Sequence, residues 1–181
     1  MNNVKITIAL ILAVLLQWTL RNIAEPFAYV DLPLIIVVYA ALQRDAVKAV
    51  LFGTFAGLAI DALSGGLLGA NAFSKTLIAF VVSEIARRVY MDNLLLRIPV
   101  IAGASLLDDM VYYGLHRLLG QEPNVSVMFT VAYTLIGTTI AGTAVYLFLD
   151  FALADRARRP RRDSISSRRQ TRRRNPIRLH K

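Results

Sequence analysis

Residues 53–75 read GTFAGLAIDALSGGLLGANAFSK, and this stretch does most to decide the fold. Its two flanks are largely apolar, and the Gly-Gly pair between them marks a tight turn. Small residues recur four positions apart in two pairs, Gly53/Gly57 and Gly65/Gly69. In a lipid environment this spacing allows helix backbones to approach closely. The stretch therefore predicts a compact helical hairpin.

The composition around this hairpin is that of a membrane protein with a charged end. Hydrophobic residues make up 56% of the 181, against about 45–50% in a typical soluble domain. Residues 1–153 carry nine basic and ten acidic side chains, whereas residues 154–181 carry twelve basic and two acidic ones. The formal net charge of +9 therefore comes from the C-terminal segment. We predict two parts, a transmembrane bundle over 1–153 and a disordered, Arg-rich cytoplasmic tail over 154–181.

The apolar runs predict an all-α bundle of about six membrane-spanning helices, since one crossing needs about 17–25 mostly apolar residues. We place them at about 4–20, 29–43, 46–63, 67–86, 98–119 and 125–153. The second has a short uncharged stretch, so five spans are the alternative, and Pro99 is expected to open the fifth. Basic residues in the short loops set the orientation. Most of them fall on the side of the termini, which predicts that both termini are cytoplasmic; they are Lys5, Arg44, Lys48, Arg87, Arg88 and Arg97, against Arg21 and Arg117 opposite.

The outer end of the hairpin offers a candidate surface. Asp61 and Ser64 fall where the third segment meets the outer interface, just before the turn. One interpretation is a purely structural hairpin with a solvated Asp61. The other makes the turn a docking or ligand surface, and the sequence leaves both open.

Three charged residues fall inside predicted spans. Lys75 lies in the fourth segment, and Asp108 and Asp109 lie near the middle of the fifth. A charge at such a depth costs about 2.5–3.5 kcal/mol on insertion scales and usually has a partner or a watery cavity. The similar depths predict a Lys75–Asp108 or a Lys75–Asp109 pair. A packing ion pair is one interpretation, and a proton relay or a polar ligand pocket is the other.

Catalytic chemistry has little support in the residue types. The chain has no cysteine, which excludes disulfides and thiolate nucleophiles, and it has only two histidines. Asp61 lies on a different segment from Asp108 and Asp109, and the three have one basic companion, whereas phosphoryl transfer calls for clustered carboxylates that hold Mg²⁺. We assign no catalytic, cofactor-binding or metal-binding residue.

The pattern at residues 57–75, Gly-Leu-x-x-Asp-x-Leu-Ser-Gly-Gly-x-Leu-Gly-x-Asn-x-Phe-Ser-Lys, resembles the rod shape-determining protein MreD family. The Asp-Leu-Pro-Leu at 31–34 and the Leu-Asp-Asp at 107–109 are similar to that family's layout. The resemblance covers roughly residues 4–153. The long Arg-rich tail departs from the family pattern.

The resemblance implies a non-enzymatic, multi-pass component of the bacterial inner membrane in the cell-elongation machinery. Its implied partners are the periplasmic-facing scaffold MreC, the actin-like MreB and the wall polymerase and transpeptidase that make peptidoglycan. It also implies a likeness in fold to the substrate-binding subunits of vitamin-uptake transporters, an analogy that transfers no ligand.

We therefore predict a membrane adaptor, with a solute-binding transporter subunit as the alternative. Such a subunit would use a cavity around Lys75, Asp108 and Asp109. The tail is expected to bind anionic lipid or to anchor the topology, at about 1 kcal/mol per basic residue near the surface; protein docking is the alternative. A tail without a folded reading module does not favour nucleic acid.

Overall fold

The structure, a computed structural model, describes residues 3–23, 29–89, 94–120 and 126–157. Over these ranges the chain is all-helical, as predicted. The helices are α1 (Asn3–Ile23), α2 (Leu32–Ala41), α3 (Ala46–Ser64), α4 (Ala70–Arg88), α5 (Leu94–Leu118) and α6 (Val127–Ala157).

Two helix ends differ most from the sequence prediction. Pro99 lies inside α5, which begins at Leu94, so the helix continues through a residue that lacks a backbone N–H donor. At the other end of the chain, α6 includes residues 154–157, which were assigned to the tail. The predicted disorder of the tail beyond Ala157 falls outside the described residues. The chain forms two units, residues 1–146 and 147–181, and the described part of the second is the end of α6.

The short helix α2 lies at the centre of the first unit. Asp31 caps its N-terminus by accepting a hydrogen bond from the backbone N–H of Leu34, and Pro33 follows in the first turn, where proline is tolerated. Eight of the ten residues of α2 are buried. Around it pack apolar side chains of the other helices, among them Leu10, Ile78, Ile101 and Tyr146. Ten residues rise about 15 Å, half the thickness of a bilayer core, so α2 is a central plug too short to cross a membrane as a helix by itself.

Close packing of α3 on α4 follows from the first glycine pair. A Cβ at Gly53 would lie 2.6 Å from the carbonyl oxygen of Lys75, and one at Gly57 would overlap the backbone of Asn71 and Ala72. The second pair has a different role. Gly65 ends α3 at φ 64° and Gly69 precedes α4 at φ 97°, left-handed conformations that glycine adopts without strain. The second Gly-x-x-x-Gly spacing therefore builds the turn and makes no close helix contact.

The exterior of the helices is apolar. Large hydrophobic side chains are exposed on every long helix, among them Leu12, Phe55, Phe80, Met110 and Ile140. Within the described ranges, two stretches are long and apolar enough to cross a membrane, Ala46–Ser64 and Val127–Phe148, and Val4–Leu20 and Leu32–Ala41 are shorter apolar helices. Six crossings and the orientation of the termini stay predictions.

Candidate functional site

A buried lysine is the centre of the candidate site. The side chain of Lys75 is fully buried, and its Nζ lies 2.5 Å from Oδ2 of Asp31 and 2.7 Å from Oδ2 of Asp108. Three parts of the chain, the start of α2, α4 and α5, therefore meet on one ammonium group. A buried ion pair is expensive to break, because removing one partner leaves an uncompensated charge at a cost of about 3–5 kcal/mol.

Asp108 is held by a second residue of α4. The hydroxyl of Ser74 lies within hydrogen-bonding distance of both the Oδ1 and the backbone carbonyl of Asp108. Ser74 and Lys75 are adjacent in sequence, so two consecutive side chains of α4 contact both oxygens of one carboxylate. This arrangement fixes the rotamer of Asp108 and the height of α5 against α4.

Asp31 extends the cluster to α1 and α6. Its Oδ1 accepts the hydrogen bond that caps α2, while its Oδ2 faces Lys75. Its backbone N–H donates to Oγ1 of Thr138 on α6 at 3.1 Å, and the next N–H, of Leu32, donates to Oε1 of Gln17 on α1 at 3.1 Å. The backbone at residues 31–32 thus adds α1 and α6 to the three helices, α2, α4 and α5, that meet at Lys75. We name this set, Gln17, Asp31, Ser74, Lys75, Asp108 and Thr138, the lysine cluster.

Asp109 takes a different position from its neighbour. Of the two pairings predicted for Lys75, the structure contains the one with Asp108. Asp109 is half-buried, and its Oδ2 has no hydrogen-bond partner among the residues that the structure describes. Adjacent helical residues point about 100° apart, since a turn has 3.6 residues. The lysine can therefore face only one of the two carboxylates.

The second buried carboxylate, Asp61, binds the start of α4. It is 1% exposed, so the expectation of a solvated Asp61 is wrong. Its Oδ2 accepts from the backbone N–H groups of Gly69 and Ala72 at 2.9 and 3.2 Å, and its Oδ1 accepts from the backbone and side-chain N–H groups of Asn71 at 3.2 and 2.8 Å. Gly69 offers α4 no side-chain cap. Asp61 supplies that cap from α3, and its negative charge suits the positive end of the α4 dipole.

The turn between α3 and α4 is the exposed part of this arrangement. Ser64, Gly65 and Gly66 are exposed, and the Ser64 hydroxyl donates a long hydrogen bond, of 3.4 Å, to the backbone carbonyl of Asp61. Leu68, at the tip, is 76% exposed. The carboxylate that shapes the turn is therefore hidden, and the surface that a partner could touch is apolar apart from Ser64.

One cavity lies between α1 and α3, apart from the lysine cluster. It has a volume of about 580 Å³ and includes no residue of the cluster in its lining. Within the described ranges, no group of three or more His, Cys, Asp or Glu side chains could hold a metal ion. The cluster can hold helices at a fixed height, and its charged atoms are engaged with one another.

Sequence reasoning missed Asp31 as a member of the cluster, because the residue falls near the start of the second predicted segment and away from the middle of any span. A signal was present. An aspartate directly before Leu-Pro-Leu is a typical helix N-cap with proline in the first turn. That pattern fixes where α2 begins, although it does not reveal that the second oxygen of Asp31 meets a lysine 44 positions away.

An apolar exterior around a buried lysine that is paired with two carboxylates is typical of a helical membrane protein. The model of one family, described as rod shape-determining protein MreD, matches residues 2–154 of the chain. The chain therefore belongs to the MreD family, and its role lies in rod shape determination. No curated protein and no solved structure matches the chain.

Proposed function

We propose that the protein is a non-enzymatic adaptor of the cell-elongation machinery, and that it binds an MreC-like periplasmic scaffold through the turn between α3 and α4. The observation that carries the proposal is the engagement of the buried charges. Lys75, Asp31 and Asp108 bind one another, and Asp61 binds backbone N–H groups. Charged groups that bind one another in this way fix the positions of the helices, and an adaptor needs a fixed surface to bind its partner.

The contact surface is the apolar tip of the capped turn. Leu68 projects from it, with Leu63 and Phe73 exposed nearby at the ends of the two helices. A preorganised apolar side chain loses little conformational freedom on binding, which favours affinity. In this proposal Asp61 acts by shaping the turn, and the turn makes the contact.

The opposite end of the hairpin would face the cytoplasm. Lys48 lies in the first turn of α3, and Arg87 and Arg88 lie in the last turn of α4. This concentration of basic residues follows the positive-inside rule and supports an inner-membrane, multi-pass arrangement with both termini inside. MreB-like filaments and the wall synthases would be reached from that side, directly or through the scaffold, and the tail would contact anionic lipid.

Exchange of one exposed leucine tests the docking surface. We expect Leu68→Asp to reduce co-purification of the scaffold and to fail to restore rod shape in a strain without the native copy. Leu118→Asp is the matched control, because Leu118 is 85% exposed at the end of α5. Both variants change exposed side chains, so protein levels are expected to stay equal.

Undiminished scaffold recovery with Leu68→Asp at matched expression would refute the turn as the contact. If the purified protein binds a small solute tightly and shows no affinity for the scaffold, the adaptor proposal is wrong and the transporter-subunit alternative takes its place.

A further inference from the structure

The groove between α1 and α3 is a long apolar slot with one charged end. It has a volume of about 580 Å³, within the range of about 300–1,000 Å³ that is usual for ligand sites. Its wall on α3 runs from Lys48 through Leu51 and Phe55 to Ala59. Eleven residues of helix rise about 16 Å, so the slot extends about that far from the lysine. Leu10 and Val14 are among the residues of α1 that close its other side.

We infer that this groove binds one acyl chain of an anionic phospholipid, with the lipid phosphate at Lys48. The inference does not depend on the adaptor proposal. It names a lipid site within the helical bundle, separate from the attraction of the Arg-rich tail to a membrane surface.

The shape of the groove favours a chain over a helix. A helix 16 Å long and about 10–12 Å in diameter occupies about 1,300–1,800 Å³. That volume is two to three times the volume of the groove, so a partner's helix could enter only in part. The lining is apolar along its length apart from Thr7 and Lys48, which does not suit a polar solute. A single hydrocarbon chain fits both the volume of the groove and its apolar lining.

The charge at the end of the groove selects the headgroup. Lys48 lies in the first turn of α3, where the helix dipole also favours an anion. The charged side chains at this end of α1, α3 and α4 are mostly basic; they are Lys5, Arg44, Lys48, Arg87 and Arg88, against Asp45 and Glu84. This excess of positive charge matches a phosphate without a compensating amine.

The ion pair between Lys48 and Asp45 does not prevent this contact. Their charged atoms lie 2.6 Å apart, but half of the lysine side chain is exposed. Asp45 also accepts a hydrogen bond from the backbone N–H of Lys48, so it keeps its role as the cap of α3 if the ammonium turns away. An exposed pair of this kind is weak, and a phosphate can share the ammonium.

Native mass spectrometry of the full chain in mild detergent tests the site. The probes are phosphatidylglycerol and phosphatidylcholine with identical acyl chains. We expect one phosphatidylglycerol to be retained in preference to phosphatidylcholine. Filling the slot with Ala59→Phe should lower the retained fraction by about tenfold, because the chain loses its apolar contacts. Lys48→Gln should remove most of the preference between the two headgroups.

Two further variants provide a second test of the groove and a control. Thr7→Phe obstructs the groove from an exposed position on α1 and should act like Ala59→Phe if the latter fails to fold. Ala132→Phe adds the same bulk to an exposed site on α6 and should change nothing. Lipid held by the tail is present equally in all of these proteins, so it cannot produce a difference between them.

Three outcomes would overturn the inference. The first is unchanged lipid retention in a folded Ala59→Phe or Thr7→Phe protein. The second is equal retention of both lipids by the parent protein. In the third, the groove variants lose the protein scaffold while lipid retention stays constant, which would assign the groove to a partner's helix.

Discussion

Replacing Asp61 with alanine should destabilise the protein strongly, although the residue lies at the end of a helix beside an exposed turn. The side chain accepts four hydrogen bonds, three from backbone N–H groups at the start of α4 and one from the Asn71 side chain. A buried donor without a partner costs about 1–3 kcal/mol. Ala72 is buried, whereas Gly69 and Asn71 are partly exposed and can be reached by water. We therefore expect a loss of about 2–4 kcal/mol in the free energy of unfolding, since only part of the full cost applies.

Equilibrium unfolding in mixed micelles measures this loss, with helix content followed by circular dichroism. Ser64→Ala is the matched control, because the Ser64 hydroxyl is exposed and makes one long contact, and it should change stability by less than about 0.5 kcal/mol. Asp61→Asn should fall between the two, since its amide keeps one acceptor oxygen and turns an N–H group toward donors. If Asp61→Ala unfolds within about 0.5 kcal/mol of the parent protein, the cap does not stabilise α4 and the reasoning fails.

Two other predictions concern the interior. Lys75→Met should lower the free energy of unfolding by about 3–5 kcal/mol and reduce the amount of monodisperse protein, because Asp31 and Asp108 lose their counter-charge. Adding Asp108→Asn in the same chain should restore part of this stability. Additive effects of the two substitutions in size-exclusion and unfolding measurements would contradict the ion pair. Gly57→Ala should lower the free energy of unfolding by about 3 kcal/mol, because the added Cβ forces α4 away from α3. Gly103→Ala is the control and should be tolerated, since its Cβ would meet nothing within 4 Å. Equal thermal stability of the two variants would contradict the close approach of α3 and α4.

The hairpin could be predicted from the sequence, and so could a buried pair between Lys75 and either Asp108 or Asp109, because each depends on spacing along a helix. Gly53 and Gly57 share a face at four-residue spacing, and the depths of Lys75 and Asp108 follow from counting residues from the helix ends. These quantities are local, and they hold whichever way the helices are rotated.

The role of Asp61 and the membership of Asp31 in the lysine cluster could not be predicted in the same way. At the end of a helix, the direction of a side chain depends on the rotation of the neighbouring element. Asp61 would be solvated if α4 started a few residues later, and it is buried because the start of α4 folds back over it. Asp31 reaches Lys75 because α2 is short and central, a property of the whole bundle. The sequence alone also did not indicate that Gly53 and Gly57 allow close helix packing whereas Gly65 and Gly69 form the turn.

Polar contacts matter especially for holding this fold together. Between helices in lipid there is little hydrophobic driving force, so close packing and interhelical hydrogen bonds supply much of the association. The lysine cluster joins α2, α4 and α5 directly, and it reaches α1 and α6 through backbone donors at residues 31–32. Asp61 joins α3 to α4 at the base of the turn. Since α4 takes part in both arrangements, the position of the exposed turn is tied to the position of the bundle. A chain with short turns can in this way present a rigid apolar tip, which is the property that the proposed scaffold contact at Leu68 requires.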